Sequence, residues 1–394
     1  MHILEPSSYM INCILHHILK GIFMIGTCFV GCSPNGYNKD EIVITPSTSI
    51  VLNYAKRFEI IKSGNVTLVI IKPTGIGSKG SLTYALIPPG TDPPENLAVD
   101  QVIEVPVKRM VVTSTSHIPF LDLLGISDYL VGFPNTDYIS SESMRSRIDQ
   151  NLIKDVGSVN GLDIESLIEL QPELVVSYIS GPDRGELSLL SHSGIPVVIN
   201  LDFMEESPLG RAEWIKFIGL MVGKFELADS VFSGIEHKYQ QLTSLTNSVL
   251  KKPPVFSGIM YGDTWFAPGG NSFVARFIED AGGYYTWEDQ KIAGSVELSF
   301  EAVLDRNTKT DFWIGTGGFS SKNDIEASDP RYVNFHAFQT GDVYNYHGRI
   351  GATGGFEYLE LGGARPDLVL ADFIKILHPG LIPNYQPYFF KKLY

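Results

Sequence analysis

The chain has 394 residues, 44% of them hydrophobic and 19% charged, an ordinary composition for a folded protein with a length that suits two packed units. Its formal charge of −14, with no offsetting run of Lys or Arg, excludes a general nucleic-acid binder. All three cysteines, Cys13, Cys28 and Cys32, lie at the amino end, so the remainder holds neither a disulfide framework nor a thiolate metal site.

The first 32 residues read as a leader. His16, His17 and Lys20 precede an apolar stretch, Gly21 to Val30, too short to span a bilayer. The stretch ends Phe29-Val30-Gly31-Cys32-Ser33, which resembles a bacterial lipoprotein signal, with a small residue before a cysteine that is cleaved and lipidated. Phe29 stands where that pattern carries an aliphatic residue. The resemblance implies export and a lipid anchor on Cys32. Residues 33–48, rich in Ser, Pro, Asn and Thr, read as a tether.

Strand-like segments follow at Val51–Ile61, Val66–Lys72 and Ser81–Ile87, separated by Gly, Pro and Asn turns. Between the last two, Gly75-Ile76-Gly77-Ser78-Lys79-Gly80 matches G-x-G-x-x-G. The residues after it alternate like a strand and leave no helix N-terminus for a pyrophosphate, so it reads as a hairpin turn. Arg109–Ser114 is a buried strand that opens at Ser116-His117 into a helix bearing Leu121, Leu123 and Leu124. Strand–helix alternation continues to about residue 205, which predicts a parallel α/β lobe spanning residues 49–207. Within it lies Gly161-Leu162-Asp163-Ile164-Glu165, a short helix capped by Asp163 that leads into the apolar run Leu174–Val176.

Residues 208–250 carry the longest helical pattern, with apolar positions at Trp214, Ile218, Met221, Phe225, Ala228, Phe232, Ile235, Tyr239 and Leu242. Gly219 and Gly223 divide it, leaving a continuous helix over Glu226–Val249. Such a helix spans about 36 Å, enough to cross from one lobe to the other as a rigid link. Alternation resumes at Val255 and runs to about Tyr346, then closes with the helix Pro366–Leu377, giving a second lobe over residues 251–394. Here Glu297-Leu298-Ser299-Phe300-Glu301 repeats the earlier pattern: a cap, a glutamate two residues on, then a helix feeding the strand Phe312–Ile314. An acid in a first helical turn complements the helix dipole, so capping alone explains either glutamate. Two copies in corresponding places predict two similar lobes.

At this point the chain resembles the class III, helix-linked substrate-binding proteins of ABC importers for iron–siderophores, haem and cobalamin. The resemblance covers roughly residues 105–380. It is carried by Arg109-Met110-Val111-Val112 through Leu124-Gly125, Gly157-Ser158 through Val176, and Pro268-Gly269-Gly270-Asn271-Ser272 through Gly282-Gly283. The closing block Arg365-Pro366-Asp367-Leu368 through Ile376-Leu377-His378-Pro379 belongs with them. It implies two Rossmann-like lobes, a ligand cleft between them, and no catalysis. It further implies no intrinsic cofactor, an iron or cobalt chelate as cargo, and a permease dimer as partner. In that family one surface glutamate per lobe docks into permease arginines, and the matching positions are Glu165 and Glu301.

Ligands of open α/β sheets bind beyond the carboxyl ends of the strands. Those ends hold Ser114 and His117, Tyr178, Tyr261, Trp265 and Phe266, and Arg349, an aromatic and hydroxyl-rich set suited to a large flat ligand. Asn271 and Ser272 read as caps of the helix carrying Phe277 and Ile278. Two other functions compete. A bare metal ion would need a set such as His117, His192, His336 and His347, and an exported α/β hydrolase would need a triad that no spacing marks out.

Overall fold

The computed structural model describes residues 48–72, 80–93, 98–158, 161–178 and 185–394. The leader, Cys32 and the tether as far as residue 47 lie outside these, as do residues 73–79, which hold all of the glycine motif but Gly80.

The described chain begins with a five-stranded sheet: β1 (Thr48–Ile50), β2 (Phe58–Ser63), β3 (Val66–Ile71), β4 (Leu82–Ile87) and β5 (Gln101–Glu104), in that spatial order. All pairs are antiparallel except β4–β5. Gly64, with φ of 57°, and Asn65 make the two-residue turn between β2 and β3. The strand β4 begins just past Gly80 and pairs antiparallel with β3, so no helix follows the glycine motif, as the alternation there predicts. Alternate residues Phe58, Ile60, Val69, Ile71, Tyr84 and Leu86 turn one face into the main core.

The first lobe is built from β6 (Met110–Val112), α1 (Ile118–Leu123), β7 (Leu130–Phe133), α2 (Glu142–Asp149), β8 (Lys154–Asp155), the small ladder β9 (Gly157–Ser158) and β10 (Gly161–Leu162), α3 (Ile164–Leu170), β11 (Leu174–Ser177), α4 (Gly185–His192) and β12 (Val197–Ile199). Its main sheet is parallel, in the order β12-β11-β6-β7-β8. Val111, Val112, Val175 and Val176 are fully buried, because helices cover both faces of such a sheet.

Three helices then lead across. Ser207 caps α5 (Pro208–Glu213), α6 (Ile215–Met221) follows, and Gly223 (φ 67°) turns the chain into α7 (Phe225–Thr246). The predicted helix therefore starts one residue early and ends three short of Val249. At 22 residues it is about 33 Å long. Its buried stripe is Ala228, Phe232, Ile235 and Tyr239, the positions the periodicity marked.

The second lobe contains β13 (Pro254–Phe256), β14 (Ile259–Tyr261), β15 (Thr264–Pro268), α8 (Phe273–Asp280), β16 (Tyr284–Tyr285), β17 (Ser295–Leu298), α9 (Phe300–Asn307), β18 (Phe312–Ile314), α10 (Lys322–Ser328), α11 (His336–Thr340), β19 (Val343–Asn345), α12 (Glu357–Leu361), α13 (Pro366–Leu377) and β20 (Lys391–Lys392). The sheet order is β16-β13-β18-β19-β20, parallel except for β20. A separate antiparallel ribbon, β14-β15-β17, stands beside it.

Buried carboxylates fasten the leading sheet to the linker. Glu213, wholly buried, accepts the backbone N–H groups of Asn53, Tyr54 and Ala55 at 2.7–3.0 Å and the Lys216 ammonium at 3.0 Å. Glu205 accepts the N–H groups of Lys56 and Arg57 and the indole N–H of Trp214. Phe58 packs at a tilt against Trp214 with ring centroids 4.5 Å apart. A buried charge is tolerated only with such a set of donors.

Candidate ligand cleft and docking face

The carboxyl ends of β6, β11 and β12 carry the residues Ser114–His117, Tyr178 and Asn200–Phe203, and β13, β18 and β19 run parallel to one another in the second lobe. After β19 the chain does not stay on its own lobe. Residues 350–361 run to the first lobe and pack α12 on the turn Thr115–His117 and on α1. Glu360, buried, accepts the N–H of Ser140 at 2.7 Å and of Ser141 at 3.0 Å, and Ser141 is the N-cap of α2. The Thr353 hydroxyl donates to the carbonyl of Asp137, and a Cβ on Gly351 would lie 2.9 Å from Ser140 Cα. Burial raises the Glu360 carboxyl to about 7 against the opposing pull of the two amides. The second lobe is thus strapped to the first across one end of the cleft.

Trp265 is not a ligand-facing residue. It is fully buried, its indole N–H donates to the Ser257 carbonyl, and it sits among Phe256, Trp313, Phe335, Tyr332 and Phe300 at centroid distances of 5.6–6.5 Å. Alternation along β15 explains this: Trp265 and Ala267 point inward, while Phe266 on the opposite face is half-buried. His117 is also wholly buried, beneath α12. Ser114 is occupied locally, capping its own turn through Ser116 N–H at 3.3 Å. Arg349, expected to meet a ligand anion, is instead paired with Glu357 and lies 4.5 Å over the Tyr388 ring.

Tyr261 and Tyr178 fare differently. Tyr261 is 54% exposed at the tip of the β14–β15 hairpin. Tyr178 is half-buried and meets Phe203 edge to face at 5.9 Å, and Phe203 and Tyr138 are themselves exposed. Sequence alone singled out neither Phe203 nor Tyr138. It missed Arg211 altogether, whose guanidinium donates to the carbonyls of Phe203 and Glu205 and stacks 3.6 Å from the Phe273 ring of the second lobe. Its place one turn into a Pro-initiated helix was the available signal.

The four histidines do not converge. His192 bonds its own helix at Ser188, His336 faces Asp311 at 4.0 Å, His347 follows β19, and His117 lies under α12. Among the described residues no three His, Cys, Asp or Glu side chains gather as a metal site. A cavity of about 330 Å³ lined by Pro254, Tyr284, Thr286 and Arg306 lies at the amino ends of β13 and β16, the edge away from the cleft.

Both glutamates occupy the predicted places. Asp163 caps α3 through Ser166 N–H, Ser299 caps α9 through Ala302 N–H, and Glu165 and Glu301 sit exposed in the first turns. Each helix precedes a strand flanked by parallel neighbours, β11 and β18. Because a crossover helix runs antiparallel to its strand, each N-terminus lies at the carboxyl edge, beside the cleft. Glu301 makes one long contact with Arg331 at 3.4 Å, while Arg331 is chiefly engaged by Asp329. Such an exposed, solvent-screened pair is weak and leaves the carboxylate available. Asn271 and Ser272 also hold to expectation in part, Ser272 capping α8 and Asn271 bonding the Lys291 carbonyl.

Residues 110–350 match the periplasmic binding protein family. An uncharacterised lipoprotein of Methanocaldococcus jannaschii is 24% identical over 74% of this chain and 70% of its own length. Among solved structures, a possible iron-binding periplasmic solute-binding protein of Staphylococcus epidermidis superposes with a TM-score of 0.54 at 19% identity, over 70% of this chain and all of that one. A periplasmic haem-binding protein of Pseudomonas aeruginosa gives 0.54 at 16% identity, over 73% and 98%.

Proposed function

Since the chain belongs to the periplasmic binding protein family, we propose that it is an exported, lipid-anchored receptor that captures a metal chelate and hands it to an ABC importer. The chelate class is that of ferric siderophores, haem and cobalamin, and the anchor is Cys32. One observation carries the reading. Large aromatic rings stand exposed or half-exposed where a two-lobed α/β protein takes its ligand: Tyr138, Tyr178 and Phe203 on one side, Tyr261 and Phe266 on the other. Structural neighbours that include a possible iron-binding protein and a haem-binding protein agree with that chemistry. Delivery falls to Glu165 and Glu301, one per lobe, making charge-assisted bonds to arginines of a two-fold permease.

The test separates capture from delivery. Purified protein titrated with haemin, cyanocobalamin and a ferric hydroxamate should bind at least one of them saturably. Glu165→Ala/Glu301→Ala should leave that affinity unchanged and lower uptake through the cognate importer, each carboxylate contributing about 1.5–3 kcal/mol if desolvated on docking. Full uptake by the double variant would reduce the two glutamates to helix-dipole partners. Absence of binding to all three chelates would defeat the receptor reading.

A further inference from the structure

Beneath the strap lies a group of polar side chains whose hydrogen-bonding capacity is unspent. Both ring nitrogens of His117, the amide nitrogen of Asn200 and Oδ1 of Asp202 are buried without a hydrogen-bond partner. The residues are exposed by 0%, 0% and 3% respectively. His117 Nε2 stands 3.8 Å from Asp202 Oδ1, close but outside hydrogen-bond range. Asn200 spends its oxygen on the N–H of Asp202 at 2.8 Å and keeps its NH₂. All three residues follow the carboxyl ends of β6 and β12, the edge where this architecture binds its ligands. Buried polar groups are normally paired, and four unpaired atoms in one place mark a missing partner.

We propose that His117, Asn200 and Asp202 form a polar ligand subsite that α12 roofs, and that it selects chelates bearing amide or hydroxyl groups at their rim. The choice follows from the inventory. Asp202 offers an acceptor, Asn200 a donor, and the His117 ring, kept neutral by burial, one of each. An amide presents a donor and an acceptor together and fits that set. A carboxylate presents acceptors only and would face the Asp202 carboxylate. The nearby Arg211 cation is already set against Asp202 itself, and two of its nitrogens serve the Phe203 and Glu205 carbonyls. Entry requires α12 to lift, and α12 belongs to the second lobe. Its hold on the first is local: Glu360 on Ser140 and Ser141, and Thr353 on Asp137. The strap is therefore the part that moves when ligand enters.

This inference rests on the chelate-receptor reading and has its own test. Calorimetric titrations would compare cyanocobalamin and ferrioxamine B, both bearing amides, with haemin, whose rim carries carboxylates. The wild-type protein should bind at least one amide-bearing chelate more tightly than haemin. His117→Phe and Asp202→Asn should each weaken that binding at least tenfold, while the ligand-free unfolding temperature of His117→Phe holds or rises, because an unpaired buried group stabilises nothing. Tighter binding of haemin would overturn the subsite and leave the receptor standing. Unchanged affinity in both variants would show that the groups hold only trapped water. A fall in unfolding temperature matching the loss of affinity would make them packing residues. Failure to bind any chelate would remove the subsite together with the function it serves.

Discussion

Replacing Glu360 by Gln isolates the titration of the strap. In the folded chain this carboxyl is raised from an ordinary 4.5 to about 7, burial first, with the charges of Asp122 and Glu357 adding to it and the amides of Ser140 and Ser141 opposing. The other groups at the contact are accounted for: Asp122 accepts from the hydroxyls of Ser127, Ser141 and Ser143, and Glu357 pairs with Arg349 and Tyr388. A folded value above the unfolded one means that the folded state holds the proton more tightly. Its stabilisation is complete below pH 4.5 and is lost as pH rises through about 7. Two to three units at about 1.4 kcal/mol each amount to about 3 kcal/mol. The Gln side chain does not titrate, so the stability of wild type minus Glu360→Gln cancels every other group. Urea unfolding should show this difference shrinking by about 3 kcal/mol between about pH 5 and about pH 8.5. A flat difference, or one that grows with pH, would refute the reasoning, because the amides would then outweigh burial.

Trp265→Ala should cost about 3–5 kcal/mol of stability by opening a cavity among Phe256, Trp313 and Phe335, with ligand affinity little changed in whatever protein remains folded. Weakened binding with unaltered stability would contradict its place in the core. Cys32→Ala should abolish lipid labelling in cells and leave the leader uncleaved at that site; acylation of the variant would remove the lipoprotein assignment.

The lobes and their link were legible because they rest on local signals. The stripe from Ala228 to Tyr239 needs only helical period, and the caps Asp163, Ser272 and Ser299 need only their own next turn. The cleft was less legible, because facing direction depends on register. One residue separates buried Trp265 from half-exposed Phe266, and only pairing with β14 and β17 decides which turns inward. Arg349 read as free because its neutralising partner, Glu357, lies beyond a loop that brings the chain back. The bonds of Glu360 to Ser140 and of Glu213 to Tyr54 span 220 and 159 residues, and no window of sequence contains either.

The clasp between the leading sheet and the linker fixes where outside forces enter the molecule. Described chain starts at β1, the edge of a sheet whose next stretch, Asn53 to Phe58, is held on Glu213, Glu205 and Trp214. Tyr54 reaches further along, its hydroxyl donating to Glu236 of α7 at 2.7 Å. A pull applied at Thr48 therefore arrives on the bridge between the lobes. Under the proposed anchorage at Cys32, neither lobe would itself be the point of suspension, and both carboxyl edges, with Glu165 and Glu301, would be free to meet one surface together. On that proposal, anchorage and ligand exchange are mechanically separate, and shortening the segment before Thr48 would limit reach without changing how the cleft opens.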